Sequence, residues 1–190
     1  MSAVEAIAAA LGLVCVALVV RRSMWNYAFG IASTALYIAV FHHARLYSDA
    51  LLQIFFVVVN AYGWISWRGA RRRLGDIAVE TMTPAARAAT LAACAAATLA
   101  WGWLMHRYTD ASYPWPDAAI AITSIAAQIL MAQRRLENWV LWIAVDVAAI
   151  PLFLAKGLWV TAALYALYLA LAVSGLIEWR RVWRAVGVAT

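Results

Sequence analysis

Apolar residues fall into seven long runs along the chain, separated by short polar or charged segments. The runs lie near residues 3–20, 25–42, 47–66, 87–105, 117–133, 138–155 and 158–177. Each is about 17–21 residues long, which is enough for an α-helix to cross the hydrocarbon core of a bilayer. The pattern predicts an all-α integral membrane protein with seven transmembrane helices.

Composition and charge support this prediction. Of the residues, 67% are hydrophobic and 13% are charged, whereas about a quarter of a soluble domain is charged. All but three of the 15 Lys and Arg residues follow runs one, three, five and seven or begin run four. The positive-inside rule then places the N-terminus outside and the C-terminus in the cytoplasm. This distribution accounts for the net charge of +6 without a nucleic-acid partner. Because Glu5 precedes the first run and Arg21 and Arg22 follow it, we expect no cleavable signal peptide.

The two halves of the chain match each other when one is shifted by 112 residues without gaps. Identical pairs include Arg22/Arg134, Asn26/Asn138, Gly63/Gly175, Trp67/Trp179 and Arg68/Arg180. Shared hydrophobicity does not place Asn, Gly, Trp and Arg in one register, so the sequence predicts a duplication. We expect a three-one-three layout of two parallel three-helix repeats with a linker helix between them. The expected units are residues 1–67, the cytoplasmic loop and linker helix 68–116, residues 117–179, and a basic cytoplasmic tail 180–190.

The sixth run carries the strongest candidate site. Trp139, Trp142 and Asp146 are spaced i, i+3 and i+7, so they share one helical face. An ionisable residue in a membrane span indicates a functional site, and indole faces beside a carboxylate suit an aromatic cation. Trp139 also fits an interfacial aromatic belt. Pro151 either marks a hinge or is a tolerated membrane proline.

The third and seventh runs supply further candidates. Gln53, Asn60 and Trp64 share a face of run three, where the amides either bind a polar ligand or join helices. Tyr165 and Tyr168 on run seven either form a wall of the same site or pack between helices. The polar positions differ between the two halves, as an asymmetric ligand on the pseudo-axis would require.

Other classes of protein are disfavoured. The chain has no phosphate-binding G-x-x-x-x-G-K-[ST] loop and no Cys/His cluster, so we expect no ATP hydrolysis, metal or other cofactor. A membrane-embedded enzyme would need a nucleophile and base at depth, and none is evident. A retinal-type receptor would need a buried lysine, but Lys156 is the only lysine and lies at an outer helix end.

Three sequence motifs resemble one known family. They are Leu52-Gln53-Ile54-Phe55-Phe56, Asn60-Ala61-Tyr62-Gly63-Trp64 and Glu137-Asn138-Trp139-Val140-Leu141-Trp142. The first two resemble span three, and the third resembles the W-x-x-W helix, of the PnuC family of bacterial vitamin transporters. The resemblance covers nearly the whole chain.

This resemblance implies a SWEET-like seven-helix fold, a homotrimer in the inner membrane, and facilitated diffusion of nicotinamide riboside for NAD biosynthesis. A cytosolic kinase would trap the vitamin. Trp139 and Trp142 correspond to the family's stacking residues, and Gln53 and Asn60 to its span-three amides. Asp146 departs from the asparagine that is common in the family. Thiamine, which related transporters carry, is the second candidate because it is also an aromatic cation; riboflavin is neutral and fits Asp146 less well.

Overall fold

The structure, a computed structural model, describes residues 3–43, 47–74, 77–110 and 112–188. Within these residues it contains seven α-helices. They are α1 (Ala3–Val20), α2 (Asn26–His43), α3 (Tyr47–Leu74), α4 (Pro84–Tyr108), α5 (Pro114–Ala132), α6 (Glu137–Ala155) and α7 (Trp159–Val188). All seven predicted runs are helical, which confirms the all-α prediction. By length and composition, α1, α4, α5, α6 and α7 can each cross a membrane, and α2 contributes a shorter apolar helix.

Helices α3 and α7 are longer than their apolar runs. The runs end near residues 66 and 177, but α3 continues to Leu74 and α7 to Val188. Residues 68–74 and 180–188 were expected to form a loop and a tail, and they are helical instead. Arginine is a good helix former, so a basic sequence extends a helix beyond the apolar span. Each helix gains about two turns or more.

Six helices form a closed ring. Each contacts its neighbours in the order α1, α2, α3, α5, α6, α7, and α7 returns to α1. Among the described residues, α4 contacts α5 alone and lies outside the ring. Helices α1, α3, α5 and α7 finish at the same end of the ring, which we call the arginine-rich end because each is followed by, or finishes in, arginines.

Helices α1 and α5 end in the same way at the arginine-rich end. Arg22 and Arg134 adopt left-handed φ angles of 55° and 62°. The next residue donates its backbone N–H to the carbonyl five residues earlier, which closes the last helical turn. A left-handed non-glycine residue costs roughly 1–2 kcal/mol. Contacts of both guanidinium groups offset this cost, since Arg22 donates to the carbonyl of Ile77 and Arg134 pairs with Glu80, each at 2.9 Å.

Four aromatic side chains, Tyr27, Trp67, Trp139 and Trp179, close the ring at the arginine-rich end, and we call them the aromatic layer. All four are at most 1% exposed. Tyr27 packs edge-on against Trp67 with centroids 5.3 Å apart, and Trp139 packs edge-on against Trp179 at 5.5 Å. Trp67 and Trp179 meet at 5.8 Å. The layer thus joins helices from opposite sides of the ring.

The contacts of the aromatic layer recur at a spacing of 112 residues. The indole N–H of Trp67 donates to a carbonyl near the end of α5, and that of Trp179 donates to the corresponding carbonyl of α1. Tyr27 lies against Gly63, and Trp139 lies against Gly175. A Cβ atom on either glycine would meet the opposing ring at 2.6 or 2.5 Å. Glycine is therefore needed at both positions for the close helix contact.

The segment of residues 77–83 crosses the arginine-rich end, and we call it the connecting segment. Ile77 and Val79 are buried against the aromatic layer, at 1% and 8% exposure. Glu80 makes two backbone hydrogen bonds with the turn at residues 134–136. The connecting segment and the aromatic layer together seal this end of the ring.

Candidate functional site

The buried polar residues Asn60, Gln128 and Asp146 lie inside the ring, one to two helical turns from the aromatic layer. Helix α5 ends and α6 begins at the arginine-rich end, and Met131 and Trp139 both belong to the buried core there. Gln128 and Trp142 are three residues farther from that end on their respective helices, so they occupy the next level of the ring. Trp142 is half-buried and packs against this core.

Asp146 lies one turn beyond Trp142 on α6. The residue is 3% exposed, and its carboxyl group makes no hydrogen bond or ion pair with any described residue. A buried carboxylate without a counter-charge is costly in a membrane protein. This cost marks Asp146 as a candidate functional residue.

Tyr165 and Tyr168 of α7 lie near Asp146. Both are within electrostatic range of its carboxyl group. Their rings meet edge-on with centroids 6.0 Å apart, and Tyr165 also packs on Phe153 at 5.0 Å. Tyr37 of α2 lies within electrostatic range of both tyrosines. Aromatic residues of α2, α6 and α7 thus gather in the part of the ring that holds Asp146.

Gly12 allows Tyr168 to reach this position. A Cβ atom at Gly12 would lie 2.5 Å from the hydroxyl oxygen of Tyr168. Its second neighbour is the hydroxyl of Ser33, which donates to the carbonyl of Ala8 at 2.8 Å. The absence of a side chain on α1 therefore positions a tyrosine of α7.

Asn60 and Gln128 form a buried amide pair. The Gln128 side chain donates from Nε2 to Oδ1 of Asn60 at 3.0 Å, and the two residues are 7% and 4% exposed, respectively. The Asn60 amide lies against α2 at Gly30, where a Cβ atom would come within 3.4 Å of it. The pair joins α3 to α5 at the level of Trp142.

Gln128 and Tyr37 were not among the residues predicted from the sequence. The available signal for Gln128 was the one used for Gln53, a glutamine inside an apolar span. Tyr37 gave no such signal, since tyrosine is common in membrane helices. Helix neighbours brought both residues to the site.

Two predicted residues occupy places other than those expected. Trp139 is 1% exposed, with its ring held between Gly175 and Trp179, so it forms part of the aromatic layer and offers no free face to a ligand. Trp64 is 42% exposed, so the helices of the ring do not enclose it. Gln53 is half-buried and makes no hydrogen bond within the described part of the chain.

A ring of apolar helices that holds a buried carboxylate, aromatic side chains and a buried amide pair has the features of a membrane carrier. Comparison with known proteins agrees. The sequence profile of the family described as nicotinamide mononucleotide transporter matches residues 2–181. The riboflavin/roseoflavin transporter RibM of Streptomyces davaonensis is 34% identical over 172 residues, which cover 89% of this chain and 80% of RibM.

Two further relatives carry the PnuC name. The nicotinamide riboside transporter PnuC of Escherichia coli (strain K12) is 25% identical over 204 residues, covering 94% of this chain and 85% of that protein. The crystal structure of the vitamin B3 transporter PnuC superposes with a TM-score of 0.77 and 27% identity. That match covers 96% of this chain and 82% of the other.

The chain belongs to the PnuC family of membrane transporters, as its sequence motifs predicted. It is a multi-pass inner-membrane transporter and not an enzyme.

Proposed function

We propose that this protein carries a flat, positively charged vitamin through the six-helix ring, with nicotinamide riboside as the substrate. The observation that carries the proposal is the buried Asp146 carboxylate, which has no partner among the described residues and lies beside Tyr165 and Tyr168. A cationic ring stacked on Trp142 would place its charge near this carboxylate. The PnuC relatives bear the name of nicotinamide riboside transporters, which supports the choice of substrate.

Two other vitamins remain as candidates. Thiamine is also an aromatic cation, so the charge of Asp146 suits it equally. Riboflavin is favoured by the 34% identity with RibM, but it is neutral and would leave Asp146 without a counter-charge. Gln53 is the other proposed binding residue on α3. Its amide makes no hydrogen bond with the described residues, so it is available to a hydroxyl group of the ligand, such as those of a ribose. Trp139 supports Trp142 from the aromatic layer.

The proposed architecture is a SWEET-like three-one-three arrangement. Residues 1–67 and 117–179 are parallel three-helix repeats, and the linker helix α4 lies in residues 68–116. The recurrence of helix ends and aromatic contacts at a spacing of 112 residues supports it. The arginine-rich end faces the cytoplasm, in accordance with the positive-inside rule, and the N-terminus is outside. The protein is a homotrimer in the lipid bilayer, with one pathway in each protomer.

Transport is facilitated diffusion. The aromatic layer and the connecting segment must separate to release substrate at the arginine-rich end, because they seal it in this conformation. A cytosolic kinase then phosphorylates the vitamin and prevents its return. In proteoliposomes with an imposed sodium or proton gradient but no membrane potential, labelled nicotinamide riboside should equilibrate to the external concentration and no higher. Accumulation above that level would contradict facilitated diffusion.

The role of Asp146 is tested by comparing a cation with its neutral analogue. Dihydronicotinamide riboside has the same size as nicotinamide riboside but no positive charge. We predict that Asp146→Asn weakens binding of nicotinamide riboside about tenfold or more, since a buried charge pair loses one partner, and weakens binding of the neutral analogue much less. Asp110→Asn, in an exposed turn, is the matched control and should change neither affinity. Equal losses of affinity for both ligands in Asp146→Asn would contradict a role for the Asp146 charge in substrate recognition.

A further inference from the structure

The amide pair of Asn60 and Gln128 has unused hydrogen-bonding capacity inside the ring. A glutamine side chain has two donor hydrogens and an acceptor oxygen, and so does an asparagine. One Gln128 hydrogen and the Asn60 oxygen are used in the 3.0 Å bond between them. The Gln128 oxygen and the Asn60 nitrogen bond to no other residue that the structure describes. The pair is thus left with the acceptor oxygen of Gln128 and with donor hydrogens on both residues, two on Asn60 and one on Gln128.

The surroundings of the amide pair hold it in place. The Asn60 amide packs against the backbone of α2 at Gly30, and the bond from Gln128 sets which end of the amide faces α5. Elsewhere in the ring, buried asparagines serve the fold: Asn26 and Asn138 each donate to the carbonyl three residues earlier, in the turns before α2 and α6. The Asn60–Gln128 pair makes no such backbone bond and lies at the level of Trp142.

We propose that Asn60 and Gln128 together recognise the amide edge of the transported molecule, with Gln128 as a specificity-determining residue. The ligand group is a carboxamide or a cyclic imide, in which a carbonyl acceptor and an N–H donor are adjacent. Its carbonyl accepts from Nδ2 of Asn60, and its N–H donates to Oε1 of Gln128. This inference rests on the proposed function and adds to it a second recognition element, distinct from the charge of Asp146.

A ligand that lacks only the amide provides the test. N-ribosylpyridinium has the cationic ring and the ribose of nicotinamide riboside but no carboxamide. We expect the wild-type protein to bind nicotinamide riboside about tenfold or more tightly than N-ribosylpyridinium. The ligand without the carboxamide leaves the amides of Asn60 and Gln128 without a partner. In Gln128→Met, a substitution of similar length and shape, this ratio should fall to about twofold or less, since the acceptor is gone.

A control variant and a second substitution at Gln128 separate a loss of amide recognition from a loss of folding. Gln133→Met changes the same residue type at the end of the same helix and should keep the wild-type ratio. N-ribosylpyridinium itself reports whether Gln128→Met still has a formed site, because that ligand needs no amide partner. If Gln128→Met does not fold, Gln128→Leu replaces it with the same expected loss of the ratio.

The outcomes separate this inference from the proposed function. A wild-type ratio that persists in the folded Gln128 variant overturns the role of Gln128. Equal wild-type affinity for the two ligands overturns recognition of the amide and leaves the proposed vitamin carrier intact. If the wild-type protein binds riboflavin instead, N3-methylriboflavin is the comparison ligand with its imide N–H blocked, and the same loss is expected. Absence of binding to nicotinamide riboside, thiamine and riboflavin overturns the proposed function itself.

Discussion

At the scale of single residues, burial distinguishes tryptophans that build the ring from the one that is available to a ligand. Trp139 and Trp142 are three residues apart on α6, but the former is enclosed in the aromatic layer while the latter is only half-buried. Trp142 is also one turn from the unpaired Asp146. We therefore propose that Trp142 alone stacks on the ligand.

Trp142→Ala tests this assignment directly. We predict that it weakens binding of nicotinamide riboside by about 1–2 kcal/mol, the scale of a desolvated cation–π contact. Trp64→Ala, which removes a partly exposed indole of α3 that the proposed site does not use, should leave the affinity as in the wild type. Isothermal titration of both purified variants measures the difference. An unchanged affinity in folded Trp142→Ala would exclude the residue from the site.

Part of the candidate site could be predicted from the sequence, and the rest could not, for a physical reason. Asp146 and Asn60 stand out in apolar spans, and both are buried in the ring. Spacing on one helix identifies a shared face but not which neighbour covers it, so it could not separate Trp139 from Trp142. Gln128 became part of the site only through its bond to Asn60, 68 residues away, and such a contact has no signal in local periodicity.

At the scale of helices, two glycines set how closely the ring can pack. Gly63 on α3 and Gly175 on α7 receive the rings of Tyr27 and Trp139 from the adjacent helix. The seven helices were predictable because each contains a long apolar run. The connecting segment was not, since its path depends on bonds to Arg22 and to the α5–α6 turn.

Gly175→Ala should destabilise the protein. The added Cβ would lie 2.5 Å from the Trp139 ring, so we predict a loss of about 1–3 kcal/mol from overpacking, seen as a lower midpoint of thermal unfolding. Gly69→Ala is the matched control, because a Cβ atom on this helical glycine of α3 would meet no other helix within 4 Å. Its effect should be neutral, or stabilising by up to about 1 kcal/mol. Equal shifts in both variants would contradict the close contact.

At the scale of the whole molecule, the ring has a symmetric frame and an asymmetric interior. Arg22 and Arg134 share a left-handed backbone conformation, and Trp67 and Trp179 donate equivalent hydrogen bonds in the two halves. The corresponding positions inside differ, since Trp142 matches Gly30 and Asp146 matches Thr34. A ligand with a charged ring at one side and a sugar at the other requires this difference, whereas helix packing does not.

Calorimetric titration of the purified protein with nicotinamide riboside, thiamine and riboflavin, in separate experiments, tests the central claim most directly. We predict saturable binding of nicotinamide riboside to the wild-type protein and a large loss of this affinity in Asp146→Asn. Binding of thiamine in its place would keep the aromatic-cation site and change the vitamin. Binding of riboflavin alone, or of none of the three, would contradict the claim that an unpaired carboxylate in the ring selects an aromatic cation.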